Sequence, residues 1–319
     1  MRDFNFTEKN DTRSGFGDAL TELGKTNPNV VALCADLIGS LKMNDFVKNH
    51  PERFIQTGIA EANMIGIAAG LATTGKIPFA GTFAVFAAGR TYDQIRLTAA
   101  YSNKNIKIAA SHSGISVGED GASHQMIEDL ALMRALPNMV VINTCDYNQT
   151  KAATFAAAEY YGPVYLRFGR PKLPVYMPTD IKFEIGKAIV LNEGTDVTII
   201  ATGHPMWESI QATKMLEEKG LSVDLINIHT IKPIDAEAII KSAKKTNAVV
   251  TVEEHSIYGG LGDAVANVLA HNYPVPVEMV GIKDTFGESG TTEELYEKYG
   301  LMPKNIVEAA LKSIERKKH

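Results

Sequence analysis

GIAEANMIGIAAGLATTG, residues 58–75, sets a carboxylate, Glu61, at the head of a strongly apolar helix. Gly66 and Gly70 stand one turn apart on one face, and Ala68, Ala69 and Ala72 thin the helix further. Small residues at that spacing let another backbone approach closely, and Gly75 is placed to end the helix. The helix contains no Lys or Arg to pair with Glu61. The macrodipole favours an acid at this end whether it is solvated or buried. The stretch alone leaves two readings, a solvated cap or a buried functional acid, and the rarity of unpaired buried charge favours the cap. The flanking segments reverse that preference.

Upstream, NVVALCAD (29–36) is a short apolar run ending in Asp36, suited to a buried parallel strand, and the loop LIGSLKMNDF (37–46) follows with Ser40. Downstream, KIPFAGTFAVF (76–86) reads as a strand and AAGRTYDQIRLTAAYSN (87–103) as a helix. The strand NIKIAAS (105–111), the Gly-rich loop HSGISVGEDGASHQ (112–125), a helix over 126–136, the strand NMVVINT (138–144), a helix over 150–161 and the strand PVYLRFG (163–169) continue the alternation. This order predicts an α/β domain with a mostly parallel sheet, whose ligands sit beyond the carboxyl ends of the strands. Asp36, Ser40, the loop from His112 to His124 and Arg167 all follow strands, so the reading gathers them on one rim with Glu61. Pro171, Pro174 and Pro178 mark a linker. The expected division is a first domain over 1–170, a linker over 171–186 and a smaller α/β domain over 187–319, each domain a mostly parallel sheet flanked by helices.

With 319 residues, 45% hydrophobic and 22% charged, the chain has material for two cores. A net charge of -5 gives no electrostatic reason to expect nucleic acid or an anionic membrane as partner. No apolar run reaches membrane-spanning length, and MRDFNFTEKNDTR is too polar for a signal peptide. Residues 1–12 read as a polar arm and IERKKH as a solvated helix end. Cys34 and Cys145 read as reduced core thiols, which makes the expected compartment the cytoplasm.

The loop 111–125 holds two imidazoles, two acids and three glycines. His112 and His124 could donate to substrate oxygens or move protons, and Asp120 could hold a hydroxyl; a surface loop satisfying itself fits the residues equally well. Phe83 and Phe86, three apart, read as core more readily than as a wall for a ring. Arg167, after an apolar strand, suits a carboxylate or phosphate. GGLG (259–262) reads as close helix–strand packing, since no basic residue accompanies it. His204, His229, His255 and His271 have no zinc-ligand spacing, so no metal site is expected within the chain.

Taken together, these pieces resemble the transketolase family of thiamine diphosphate enzymes. ADLIGS is similar to the family's A-D-L-x-x-S segment, GIAEANM to G-I-x-E-x-x-M with its catalytic Glu, and GTFAVF to G-T-F-x-x-F. HSGISVGEDGASHQMIEDLALMRALPNM resembles H-D-S-x-x-x-G-E-D-G-P-T-H-Q…R-x-x-P-N-M, and YLRFGR the strand carrying the substrate-phosphate Arg. Ser113, Ala122, Ala60 and Ala62 depart from the pattern, and the diphosphate-binding domain with its GDG…N metal motif is absent. The resemblance covers nearly the whole chain but only the second and third domains of a full transketolase. It therefore implies the C-terminal subunit of a split enzyme, with two copies each of this chain and a partner that supplies the diphosphate and Mg2+ or Ca2+ ligands.

By that resemblance, Glu61 hydrogen-bonds the aminopyrimidine of thiamine diphosphate, Phe83 and Phe86 pack on it, and Asp36 lies near it. Ser40 and Arg167 hold the sugar phosphate, while His112, Asp120 and His124 contact the ketose donor, with Glu61, His112 and His124 in the catalytic roles. A two-carbon ketol unit then passes from a ketose phosphate to an aldose phosphate. The β subunit of a 2-oxoacid dehydrogenase E1 component shares the architecture, and deoxyxylulose-phosphate synthase is a second relative. A non-catalytic scaffold subunit is the alternative of another class. GEDGASHQ favours the sugar-phosphate enzyme, and an acid and an Arg at that rim argue against the scaffold.

Overall fold

The computed structural model describes Phe6 and residues 8–317. Residues 1–5 and 7 of the expected polar arm, and Lys318 and His319 of the closing segment, lie outside the described residues. The chain folds as two α/β domains, each built on a mostly parallel sheet.

Among the described residues, the first sheet has seven strands in the order Thr230–Lys232, Val140–Asn143, Val164–Arg167, Lys107–Ser111, Ile77–Phe83, Val30–Cys34 and Phe54–Gln56. All neighbours run parallel except Thr230–Lys232, which is antiparallel to Val140–Asn143. Val30–Cys34, Lys107–Ser111, Val140–Asn143 and Val164–Arg167 are buried along their whole length. Helices cover both faces, which is why these strands read as continuous apolar runs rather than alternating ones. The second sheet has five strands in the order Val277–Ile282, Val249–Ser256, Val197–Ala201, Val223–Asn227 and Ile189–Asn192, the last antiparallel to its neighbour. No helix among the described residues is long and apolar enough to cross a membrane. Cys34 and Cys145 are buried and unbridged.

Three features differ from the sequence reading. The strand expected over 76–86 stops at Phe83, and Val85–Arg90 turns at once into a π-helix, continued by Tyr92–Gln94 and Ile95–Tyr101. Ala84, Ala87 and Ala88 are fully buried there, and their small side chains let the helix fold in directly behind the strand. The short strands Ile189–Asn192 and Thr230–Lys232 were not legible, being too brief to show a period. Thr230–Lys232, from the C-terminal half, also completes the edge of the first sheet.

The proline-rich segment carries structure of its own. Lys172–Pro174 pairs antiparallel with Lys9–Asp11. Asp146 caps the helix Tyr147–Glu159 through Gln149 N at 2.9 Å, and its other oxygen accepts from Tyr176 N and Met177 N at 2.9 and 2.8 Å.

Candidate active site

Glu61 opens the helix Glu61–Thr73 and is buried, 5% exposed, so the solvated cap is excluded. Its partner comes from another element: Arg90 Nη1 lies 3.1 Å from Glu61 Oε1. The Arg90 guanidinium also lies 4.1 Å from the centroid of the Phe86 ring, a cation–π contact. The acid and the aromatic wall therefore face one space. Gly66 and Gly70 point away from it, and a Cβ on either would meet nothing within 4 Å.

The strand ends build the opposite wall. Phe83 and Ser111 are register partners at the carboxyl ends of adjacent parallel strands. His112, the next residue, turns back with φ +54 and stacks on Phe83, centroids 3.8 Å apart. Phe86 lies parallel to Phe83 at 5.9 Å, and His124 meets Phe86 edge-on at 5.5 Å. Ser111 Oγ lies 2.8 Å from His112 Nδ1, and Ser123 Oγ 2.9 Å from His124 Nδ1. Burial first, then the charges of Arg13, Arg170 and His124, push His112 down to about 3, so its imidazole is neutral at pH 7. Four of the expected site residues, Phe83, Phe86, His112 and His124, thus form one contact cluster, and Arg90 links Glu61 to it.

Asp36 and Asp120 are exposed at the same edge. Asp36 follows its strand with φ +61, its N–H donating to Gln56 Oε1 at 2.8 Å. Asp120 ends the turn Gly118–Asp120. Ser40 is half-buried, and its carbonyl accepts from Arg13 Nη1 at 3.3 Å. Arg170 bonds the carbonyl of Val117 and lies 2.9 Å from Glu119 Oε2. Arg13 is held below its usual value, chiefly by burial, with Asp11 opposing and Arg170 adding to the fall. Arg13 also lies 3.4 Å from Asp11 Oδ1, and the two guanidiniums, close enough to repel and beside His112 and Ser40, are donors of the kind an oxyanion takes.

Arg167 does not belong to that rim, contrary to the sequence expectation. It is 1% exposed, in the seam between the domains. Its Nε bonds Asp129 Oδ2 at 2.8 Å, Nη1 bonds Asn143 Oδ1 at 3.3 Å, and Nη2 bonds the carbonyls of Met126 and Glu254 at 3.2 and 3.0 Å. Tyr165 shares the same Asp129 oxygen at 2.8 Å. With its donors engaged in the interior, Arg167 is a structural ion pair. Arg167 is still inside its strand, whereas Arg170 stands three residues beyond its end, and that distance was the signal available in YLRFGR. Arg90 and Arg13 were missed because they come from other elements.

Residues 8–175 match the transketolase pyrimidine-binding domain, and residues 186–306 match the transketolase C-terminal domain. The chain belongs to the transketolase family. It is 50% identical over 307 residues to a putative transketolase C-terminal section of Methanocaldococcus jannaschii, covering 95% of this chain and 96% of that one. It is 44% identical over 306 residues to a 6-deoxy-6-sulfo-D-fructose transketolase subunit of a Clostridium species, covering 96% and 95%. Among solved structures it is similar to a split gene transketolase described as an inactive β4 tetramer. There the TM-score is 0.89 and the identity 50%, over 96% of this chain and 99% of that one. These transketolase relatives are C-terminal sections or subunits of the same extent as this chain.

Proposed function

We propose that this chain is the C-terminal subunit of a split, thiamine-diphosphate-dependent transketolase. In this reading it moves a two-carbon ketol unit from a ketose phosphate to an aldose phosphate, jointly with a separate chain that bears the diphosphate-binding domain. The observation that carries the reading is the space between Glu61 and Phe86. A planar group with an N–H fits there, as the Arg90 guanidinium does, donating to Glu61 at 3.1 Å while lying 4.1 Å over the ring. An aminopyrimidine has the same shape and the same need.

When bound, thiamine diphosphate supplies a thiazolium that stabilises a carbanion on the donor. Glu61 holds a proton at the pyrimidine nitrogen, in a low-dielectric setting where that hydrogen bond is strong. Phe83 and Phe86 exclude water from the ring. His112, neutral, can donate or accept at a donor oxygen, and His124 and Asp120 border the same opening. Arg13, Arg170 and Ser40 hold the anionic end of the sugar. The sulfosugar named for the Clostridium relative also ends in an oxyanion, which supports this placement.

Among the described residues no group of three or more His, Cys, Asp or Glu side chains converges to hold a metal ion. On the family resemblance, magnesium or calcium, with the diphosphate, is assigned to the partner, in an assembly of two copies of each chain in the cytoplasm.

The test is to capture the chain from its native extract, sequence what accompanies it, and assay ketol transfer with thiamine diphosphate and magnesium. A co-purifying chain with a GDG…N motif and cofactor-dependent transfer is the expected result. A chain that emerges alone, with no cofactor-dependent transfer, would leave the scaffold reading standing.

A further inference from the structure

The loop that carries His112, Asp120 and His124 is held from the C-terminal domain. Glu254, on Val249–Ser256 of the second sheet, is 2% exposed. Its Oε1 accepts the N–H of Ser116 at 2.5 Å, and its Oε2 accepts the Tyr296 hydroxyl at 3.0 Å. Ser116 and Tyr296 are themselves buried. The carboxyl group also fills the space over Gly114, where a Cβ would sit 2.3 Å from Glu254 Cδ and where φ is +76. Neighbouring bonds reinforce the grip. Thr292 Oγ1 lies 3.4 Å from the Ser116 carbonyl, and Gln125 Nε2 donates to the carbonyls of Ile115 and Glu288 at 3.1 and 2.9 Å.

The loop needs such support. His112 adopts a left-handed backbone unusual for a residue with a side chain, and a conformation of that kind persists only where its surroundings over-determine it. Two residues on, Gly114 takes a positive φ, and two beyond that the Ser116 N–H points into the second domain. A charged acceptor there makes a stronger bond than a carbonyl would. We infer that Glu254 is a positioning residue for the substrate loop. Its carboxylate, braced by Tyr296, clamps the Ser116 N–H and so fixes where His112 and His124 stand against Phe83 and Phe86. The C-terminal domain, which supplies none of the expected site residues, then acts on the reaction by shaping this loop. The kinetic part of this inference rests on the proposed function; the structural part does not.

Hydrogen exchange read peptide by peptide in this chain tests the clamp by itself, because it reports local opening. Glu254→Gln keeps an acceptor for Ser116, and its new amide N–H can donate to the Tyr296 hydroxyl oxygen once the hydroxyl proton turns away. Protection of residues 111–125 should stay near wild type. Glu254→Leu should speed exchange in 111–125 by about tenfold or more, the scale of a lost charge-assisted bond, with the Lys107–Ser111 and Val164–Arg167 strands unchanged. Tyr296→Phe, which removes only the brace, should give a smaller rise in the same peptides; it serves if Glu254→Leu does not fold.

In the reconstituted enzyme, Glu254→Leu or Tyr296→Phe should raise the donor KM by more than it lowers kcat and leave cofactor affinity unchanged, whereas Glu254→Gln should stay near wild type. Exchange in 111–125 that does not rise in the folded variants would overturn the clamp. A KM, kcat and cofactor affinity that decline together would overturn its positioning role. If exchange rises but the wild-type assembly transfers no ketol unit, the clamp stands and the transketolase reading fails.

Discussion

Arg167, the last residue of its strand, and Arg170, three residues beyond it, do different work. Arg167 neutralises Asp129 in the interior, so Arg167→Ala leaves a buried carboxylate uncompensated, which typically costs about 3–5 kcal/mol. Urea unfolding should register that loss. Arg170 is partly exposed beside Arg13 and His112, so Arg170→Ala should leave stability nearly unchanged. It should raise the KM for a phosphorylated donor by about tenfold or more, on the scale of one lost charge-assisted bond, and spare an uncharged donor. Equal effects on both donors would contradict the anion-binding role proposed for Arg170. At this scale the sequence was legible wherever a residue's neighbours lay within its own segment. Phe83 and Phe86 were quoted from one motif and meet at 5.9 Å. The partner of Glu61 was illegible because Arg90 is 29 positions away on another helix.

The helix Glu61–Thr73 has one face buried and one face open. Its inner face buries Met64, Ile65 and Ala68, while Gly66 and Gly70 look outward into open space, and Ile59 just before it is 75% exposed. Packing within the domain therefore does not explain the two glycines. We assign this face to the interface with the partner subunit. Gly66→Trp should keep or raise the thermal midpoint of the isolated chain, since glycine is a weak helix former. It should weaken association with the partner by about tenfold or more, the scale of an overpacked contact, as read by sedimentation. Unimpaired association would move the interface elsewhere. The long apolar strands and amphipathic helices were legible as elements because burial on both faces leaves a continuous signature. The π-helical turn at Val85–Arg90 was not, because its alanines suit a strand end and a helix start alike.

Across the whole molecule, the seam between the domains is rich in buried titratable groups. Burial pushes His229 down to about 4, its ring packed on Phe183 at 4.0 Å and its Nδ1 lying 2.9 Å from Thr230 Oγ1. A histidine with a lowered folded value contributes stability that is complete above the unfolded value, about 6.5, and is lost as pH falls toward 4. Burial lifts the Glu253 carboxyl to about 7, against the backbone N–H groups of Gly262 and Leu261 that it caps; its contribution is complete below about 4.5 and lost as pH rises through 7. Because these oppose one another, a difference isolates one group. The stability of wild type relative to His229→Gln should fall as pH drops from about 6.5 to 4, with a slope approaching one proton. A pH-independent difference would show that His229 does not change its protonation on unfolding. This seam was the least legible part of the chain. The sequence separated two domains by composition, whereas Thr230–Lys232, Arg167 and Glu254 join them through pairings between residues distant in the chain.

The central claim is that Glu61 acts on the cofactor's pyrimidine. The most direct measurement is ketol transfer by the assembly reconstituted from Glu61→Ala and its partner, at saturating thiamine diphosphate and magnesium. Turnover should fall by about 10²–10⁴-fold, the usual scale for a group that handles a proton. Turnover equal to wild type would contradict the account.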